Sequence, residues 1–207
     1  MVQTLQAKEI TFAQLGELFR LERTDEVGFF REWQDDLPEL SLIEQQTLDG
    51  VKQDYLHLSR YLLAEPIVKM VILSPLLRLA GFYRSPFYLA AEKEVQIESE
   101  DEGMLVRGRI DVLVFNPQFW VTMIEAKNAQ YSLEVGVPQA LTYMMATPTP
   151  EKPAYGFVSN GREFEFLKLT RQGQPKYARS HPFSIDRGDD LYTVLAALKQ
   201  MAQVAQR

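Results

Sequence analysis

The stretch 107-RGRIDVLVFNPQFWVTMIEAKNAQYSLEVGVPQALTYMM-145 decides how the chain is read. Two apolar, β-branched runs meet across Asn116-Pro117-Gln118, and each holds an acidic side chain where a plain core strand would have none. A buried carboxylate needs a compensating charge, so these acids demand partners. Glu125 and Lys127 are two positions apart, which on a strand places them on one face roughly 6.6 Å from each other, with Ile124 and Ala126 facing the other way. A hairpin through the Asn-Pro turn brings Asp111, in the first run, beside Glu125. Two carboxylates and an ammonium then converge. From the residues alone, this set reads either as a structural ion pair with a strand-edge acid or as a site for chemistry.

Working outward, the predicted strands cover 93–98, 106–115 and 119–126, with Asp101-Glu102-Gly103 as an acidic turn in the first hairpin. A helix is expected over 131–146, on which Gln139 and Tyr143, four apart, share a face. Glu65-Pro66 opens an earlier helix that Gly81 is placed to end, and Ser74-Pro75 predicts a kink inside it. Glu65 is either an accessory to the acidic site or an acid favoured by the helix N-terminus. Thr11-Phe12-Ala13-Gln14 and Ser41-Leu42-Ile43-Glu44 both fit capping boxes, giving helices near 12–19 and 42–63. A further helix is expected over 26–34, with Phe29, Phe30 and Trp33 as its packing face. After an extended Thr147–Pro153 linker, 155–159 and 163–169 read as a hairpin with Asn160-Gly161 as a two-residue turn. The last helix, about 189–205, carries Leu191, Val194, Leu195, Leu198 and Met201 on one stripe, as core or as a dimer face.

In order and local context, GRID (108–111), IEAK (124–127) and QALTY (139–143) resemble the PD-(D/E)XK nuclease superfamily. The wider stretch from Glu65-Pro66 through Gly81-Phe82 to the acidic strand around Glu94 is similar to the N-terminal nuclease domain of type I restriction enzyme R subunits. The resemblance covers about residues 60–170, and Ile110 stands where the literal motif has proline. It implies an α/β fold of restriction-endonuclease type, a mixed β-sheet flanked by helices, with residues 1–60 as an N-terminal helical addition to a 61–207 core in one compact domain. It also implies a Mg²⁺- or Mn²⁺-dependent nuclease, most simply acting on DNA. Asp111 and Glu125, with the Ala126 carbonyl, are its metal ligands, and Lys127 acts beside the attacking water. Gln139 and Tyr143 face Glu125 and Lys127 and position the reacting groups, while Glu65 is a further site acid and Glu94 a weaker one. The alternative is a catalytically silent scaffold of the same fold that docks or regulates a partner.

Composition bounds these readings. At 207 residues, 46% apolar and 24% charged, the chain is an ordinary globular protein large enough for a real core. It has no cysteine, which removes disulfides and thiolate metal sites. No run approaches the 18 apolar residues of a membrane span, so a cytoplasmic setting is expected. The net charge of -6 speaks against an unaided grip on long nucleic acid, since phosphate neutralisation dominates such binding. Weak DNA binding by the isolated chain is therefore expected, with Arg78, Arg84, Lys93, Arg107, Arg109 and Lys127 as a local basic rim. No G-x-x-x-x-G-K-[ST] is present, so a translocase or specificity subunit would be a separate protein, and an oligomer stays open. His57 and His181 lie near no other transition-metal ligand in sequence and read as ordinary surface or helix-face residues.

Overall fold

The computed structural model describes residues 4–61, 63–98, 105–115, 119–123 and 132–204, and for residues 4, 65, 90–96, 98, 109–115 and 119–123 it describes the backbone. The fold is mixed α/β, a mixed β-sheet arrangement flanked by helices, as expected. Strands β1 (Thr4–Gln6), β4 (Leu105–Phe115) and β3 (Tyr88–Glu98) form one sheet in the order β1-β4-β3, with β1 parallel and β3 antiparallel to β4. The second sheet runs β2-β8-β7-β6-β5: β2 (Glu22–Arg23), β8 (Lys176–Arg179), β7 (Glu163–Thr170), β6 (Ala154–Ser159) and β5 (Phe119–Met123), with β9 (Phe183–Ser184) also on β7. Strand β5 is parallel to β6, and β4 comes against β5.

Strands β6 and β7 are apolar almost throughout because both of their faces are covered. Tyr155, Phe157, Phe164 and Phe166 lie on one face, under α2 (Leu42–Leu58), α3 (Glu65–Val68), α4 (Ser74–Leu79) and α6 (Asp190–Val204). Val158, Leu167 and Leu169 lie on the other, under α1 (Phe12–Phe19) and α5 (Gly136–Met145). The apolar stripe of α6 is core: Leu191, Val194, Leu195, Leu198 and Met201 are all buried. Burying one such side chain is worth about 1.5–3 kcal/mol, so each face is a substantial source of stability.

Local signals account for most boundaries. Both capping boxes form, with Gln14 N donating to Thr11 Oγ1 at 3.2 Å and Glu44 N to Ser41 Oγ at 3.3 Å. Gly81, at φ 90°, ends α4 in a Schellman motif: Gly81 N bonds Arg78 O at 3.1 Å and Phe82 N bonds Leu77 O at 3.0 Å. The expected irregularity before Pro75 takes the form of a π-helical segment, Lys69–Leu73, which accommodates the proline's missing N–H and the bulk of its ring.

Several boundaries differ from expectation. Helix α2 ends at Leu58 rather than near 63, because Ser59 Oγ bonds Leu56 O and Tyr61 N bonds Leu58 O, closing the last turn. Residues 26–34 form separate turns instead of a helix. Phe30 and Glu32 both reach Tyr155, and Trp33 packs edge-on to Phe183; on a single helix, positions 30 and 32 would point about 200° apart. Strand β3 begins at Tyr88, five residues early, paired with Phe115. Helix α5 begins at Gly136 after a 3-10 turn, Leu133–Val135, whose cap is Ser132, and Pro138 falls in the first helical turn, where an N–H has no partner to lose. The β6–β7 connection is three residues, 160–162, not two: Asn160 Oδ1 accepts from both Arg162 N and Glu163 N, and Gly161 sits at φ 87°. The turns at 101–103 and 116–118 and strand residues 124–126 lie outside the described residues.

Candidate active site

Helix α5 is held at both ends near the motif residues. At its N-terminal side the Arg179 guanidinium, on β8, bonds the Glu165 carboxylate on β7 and forks onto Glu134 in the preceding 3-10 turn, at 2.7 and 2.9 Å. Glu165 is buried, so Arg179 is the charge that makes its presence in the core tolerable. The same bond to Arg179 holds the Glu134 carboxyl below its ordinary range, with burial a smaller opposing effect, and the carboxylates raise the Arg179 guanidinium in turn. At the C-terminal end, Arg171 donates to the carbonyls of Met145 (2.7 Å) and Thr147, where a cation also suits the helix dipole. Between these clamps, Gly156 lets Met144 come down onto β6.

The expected pair on α5 is brought together. Gln139 Nε2 donates to the Tyr143 hydroxyl at 2.8 Å, with Tyr143 fully buried and Gln139 half-buried. The Tyr143 ring lies against Gly108 of β4, next to Ala7, which follows β1. Asp111 is three residues further along β4, a distance of about 10 Å along a strand. Its position is bracketed by the pairs Ile110↔Lys93 and Val112↔Ala91. Strand β5 is described as far as Met123, in register with Ser159, one residue before Ile124 and two before Glu125 in the chain.

Glu65 is the first residue of α3. One turn on, Val68 packs against Gly161, two residues past Ser159, so α3 starts at the end of the sheet where β6 finishes. Glu94 pairs with Arg109 in the β3–β4 register. The side chains of Glu65, Glu94 and Asp111, and all of Glu125, Ala126 and Lys127, lie outside the described residues, and so does the facing of Gln139 and Tyr143 toward Glu125 and Lys127. Among the described residues, no three carboxylate, histidine or thiol side chains cluster as a metal site. Of the basic rim, Arg78, Arg84 and Arg107 are exposed. His181 is a packing residue, its ring 4.4 Å from Phe183 and 4.8 Å from Trp33. No described helix is long and apolar enough to cross a membrane.

Sequence reasoning missed the clamps Glu134–Arg179–Glu165 and Arg171. A signal existed for one of them: Glu165 interrupts an apolar run in Glu163-Phe164-Glu165-Phe166-Leu167, and a carboxylate in a strand covered on both faces requires a cation. Nothing in the sequence marked Arg179 as that cation, since the pairing depends on the β7–β8 register Leu167↔Arg179. Compared with known proteins, the sequence matches no family model and no curated protein.

Proposed function

We propose that the protein is a divalent-metal-dependent nuclease of restriction-endonuclease type, hydrolysing phosphodiester bonds in DNA in a cytoplasmic setting. The observation that carries this reading is the Gln139–Tyr143 hydrogen bond laid over Gly108, on the strand that bears Asp111 and beside the strand that leads to Glu125. The order of elements agrees with it: a helix opening on Glu65, two strands holding Glu94 and Asp111, a third that precedes Glu125 in the chain, and a helix holding the glutamine and tyrosine.

The donor set fits a hard cation. Asp111, Glu125 and the Ala126 carbonyl offer oxygen alone, which suits Mg²⁺ or Mn²⁺ and leaves positions for water and phosphate. The ion, when bound, neutralises developing charge and acidifies an attacking water. In this reading, Lys127 orients that water and offsets charge on the scissile phosphate. The Tyr143 hydroxyl accepts from Gln139, and in this reading the pair positions the reacting groups. Pinning α5 at both ends fixes that hydroxyl, and fixed donors contribute to rate because no reorganisation is needed at the moment of reaction. The net charge of -6 makes DNA binding by the isolated chain weak, consistent with a separate translocase or specificity subunit as partner.

The test is a cleavage assay on DNA and RNA substrates with Mg²⁺, with Mn²⁺ and with EDTA. The reading expects metal-dependent cleavage of DNA that EDTA abolishes. Intact substrates under every condition would instead leave a nuclease-like scaffold that docks a partner.

A further inference from the structure

We infer that Gly108 is a positioning residue: the bare backbone at this point of β4 is the seat of the Tyr143 phenol, and Ala7 closes the seat from the N-terminal side. The inference rests on the nuclease reading and deepens it. A methyl group at position 108 would stand 2.5 Å from Ala7 Cβ, 2.7 Å from Tyr143 Cε1 and 2.8 Å from the Tyr143 hydroxyl oxygen. All three separations are below the closest approach of non-bonded atoms, and none of the neighbours is the loose end of a flexible chain. Ala7 is buried and fixed by the β1–β4 pairing that ends at Gln6↔Arg107. Tyr143 is buried on a helix clamped by Arg179 and Arg171. Gly108 is therefore set by the space the phenol needs, and its backbone lies outside the positive-φ glycines.

The consequence is functional because the displaced atom is a hydroxyl with a partner. Any side chain at 108 pushes the Tyr143 oxygen off β4 and disturbs the Gln139 bond, while Asp111, on the same strand, keeps its place in the β3–β4 register. The hydroxyl then moves while the strand that bears Asp111 keeps its place. The segment 4–10, which precedes the stretch of motif resemblance, thereby belongs to the site's support.

The experiment compares steady-state cleavage and thermal unfolding for wild type, Gly108→Ala, Tyr143→Phe, the Gly108→Ala/Tyr143→Phe double variant, and Gly108→Ala/Ala7→Gly. Gly108→Ala is expected to lower kcat by about 10- to 100-fold, the scale of a misplacement near 1 Å. KM should stay within about twofold, since substrate contacts are unchanged. In the Tyr143→Phe background, Gly108→Ala should lower kcat by no more than about a further twofold, because the hydroxyl is already gone. Ala7→Gly removes one of the three collisions, so it should return part of the thermal stability lost in Gly108→Ala while leaving kcat low; if Gly108→Ala alone does not fold, this pair carries the comparison. Wild-type kcat in folded Gly108→Ala, or recovery of kcat together with stability in the Ala7→Gly pair, would overturn the inference. Failure of wild type itself to cleave any substrate would overturn the nuclease reading and the inference with it, a result distinct from the other two.

Discussion

The two faces of the β6–β7–β8 sheet are fastened in different ways. On the aromatic face, Phe157, Phe164, Phe166 and Phe183 pack against one another, Glu44 and Lys199 join α2 to α6, and an ionic clamp ties an irregular segment to the sheet: Glu32 accepts from Lys168 at 2.5 Å and from the Tyr155 hydroxyl at 2.8 Å. Lys168 also lies over the rings of Phe29 and Tyr155, at 5.5 and 5.8 Å. On the α5 face, the core is mainly aliphatic, with Tyr143 and Tyr177 among it, and the clamp Glu165–Arg179–Glu134 ties down a helix whose inner surface carries Thr142, Tyr143 and Gln139. Where a covering segment lacks regular structure, charge supplies the order that backbone bonding does not. Where the helix is regular already, charge fixes its position, which matters if the helix holds reacting groups.

The difference can be broken most severely at Arg179. Arg179→Ala leaves Glu165 uncompensated in the core and frees Glu134, and should cost about 3–5 kcal/mol in urea unfolding. Glu32→Gln removes charge from the other clamp, but Glu32 is closer to the surface than Glu165, and Lys168 keeps its two rings. Its cost should be smaller, about 1–3 kcal/mol. Equal losses would mean that the two clamps do the same work and that the contrast between the faces is mistaken.

A finer distinction comes from pH. Burial raises the Glu32 carboxyl, but the Lys168 and Tyr155 bonds and a backbone bond outweigh it, so the carboxyl ends below its ordinary value; Glu134 is depressed by Arg179. A depressed carboxylate stabilises the fold above its unfolded pKa, about 4.3, and that contribution disappears as pH falls through the lower folded value. Wild-type stability should therefore decline below about pH 4.3, and Glu134→Gln and Glu32→Gln should each flatten that decline. Glu134 is more than half exposed, so Glu134→Gln should cost below about 1 kcal/mol at pH 7. Unfolding midpoints from pH 3 to 7 check both statements, and an acid limb unchanged in both variants would remove these carboxylates from the account.

Much of the fold was legible because local chemistry and tertiary packing agree. Thr11 and Ser41 cap helices that start where the capping boxes indicate, Gly81 stops α4, and the stripe on α6 is core. The misses fall where a distant partner decides. Residues 26–34 have helical spacing, yet Phe30, Glu32 and Trp33 answer to Tyr155, Lys168 and Phe183, more than 120 residues away in the chain. The third residue of the 160–162 loop is set by Asn160 bonding two backbone amides and by Gly161 meeting Val68. Of the candidate site, the four-residue spacing of Gln139 and Tyr143 was readable because helix geometry alone produces it. The seat at Gly108 was not, since it requires knowing that α5 comes down on β4 beside Ala7.

Calorimetric titration of Mg²⁺ and Mn²⁺ into wild type, Asp111→Ala and Lys127→Ala tests the central claim most directly. The account predicts that wild type binds, that Asp111→Ala loses most of the affinity, and that Lys127→Ala binds as well as wild type or better, having lost a neighbouring positive charge. Wild-type protein that binds neither ion, or three proteins that bind alike, would contradict it.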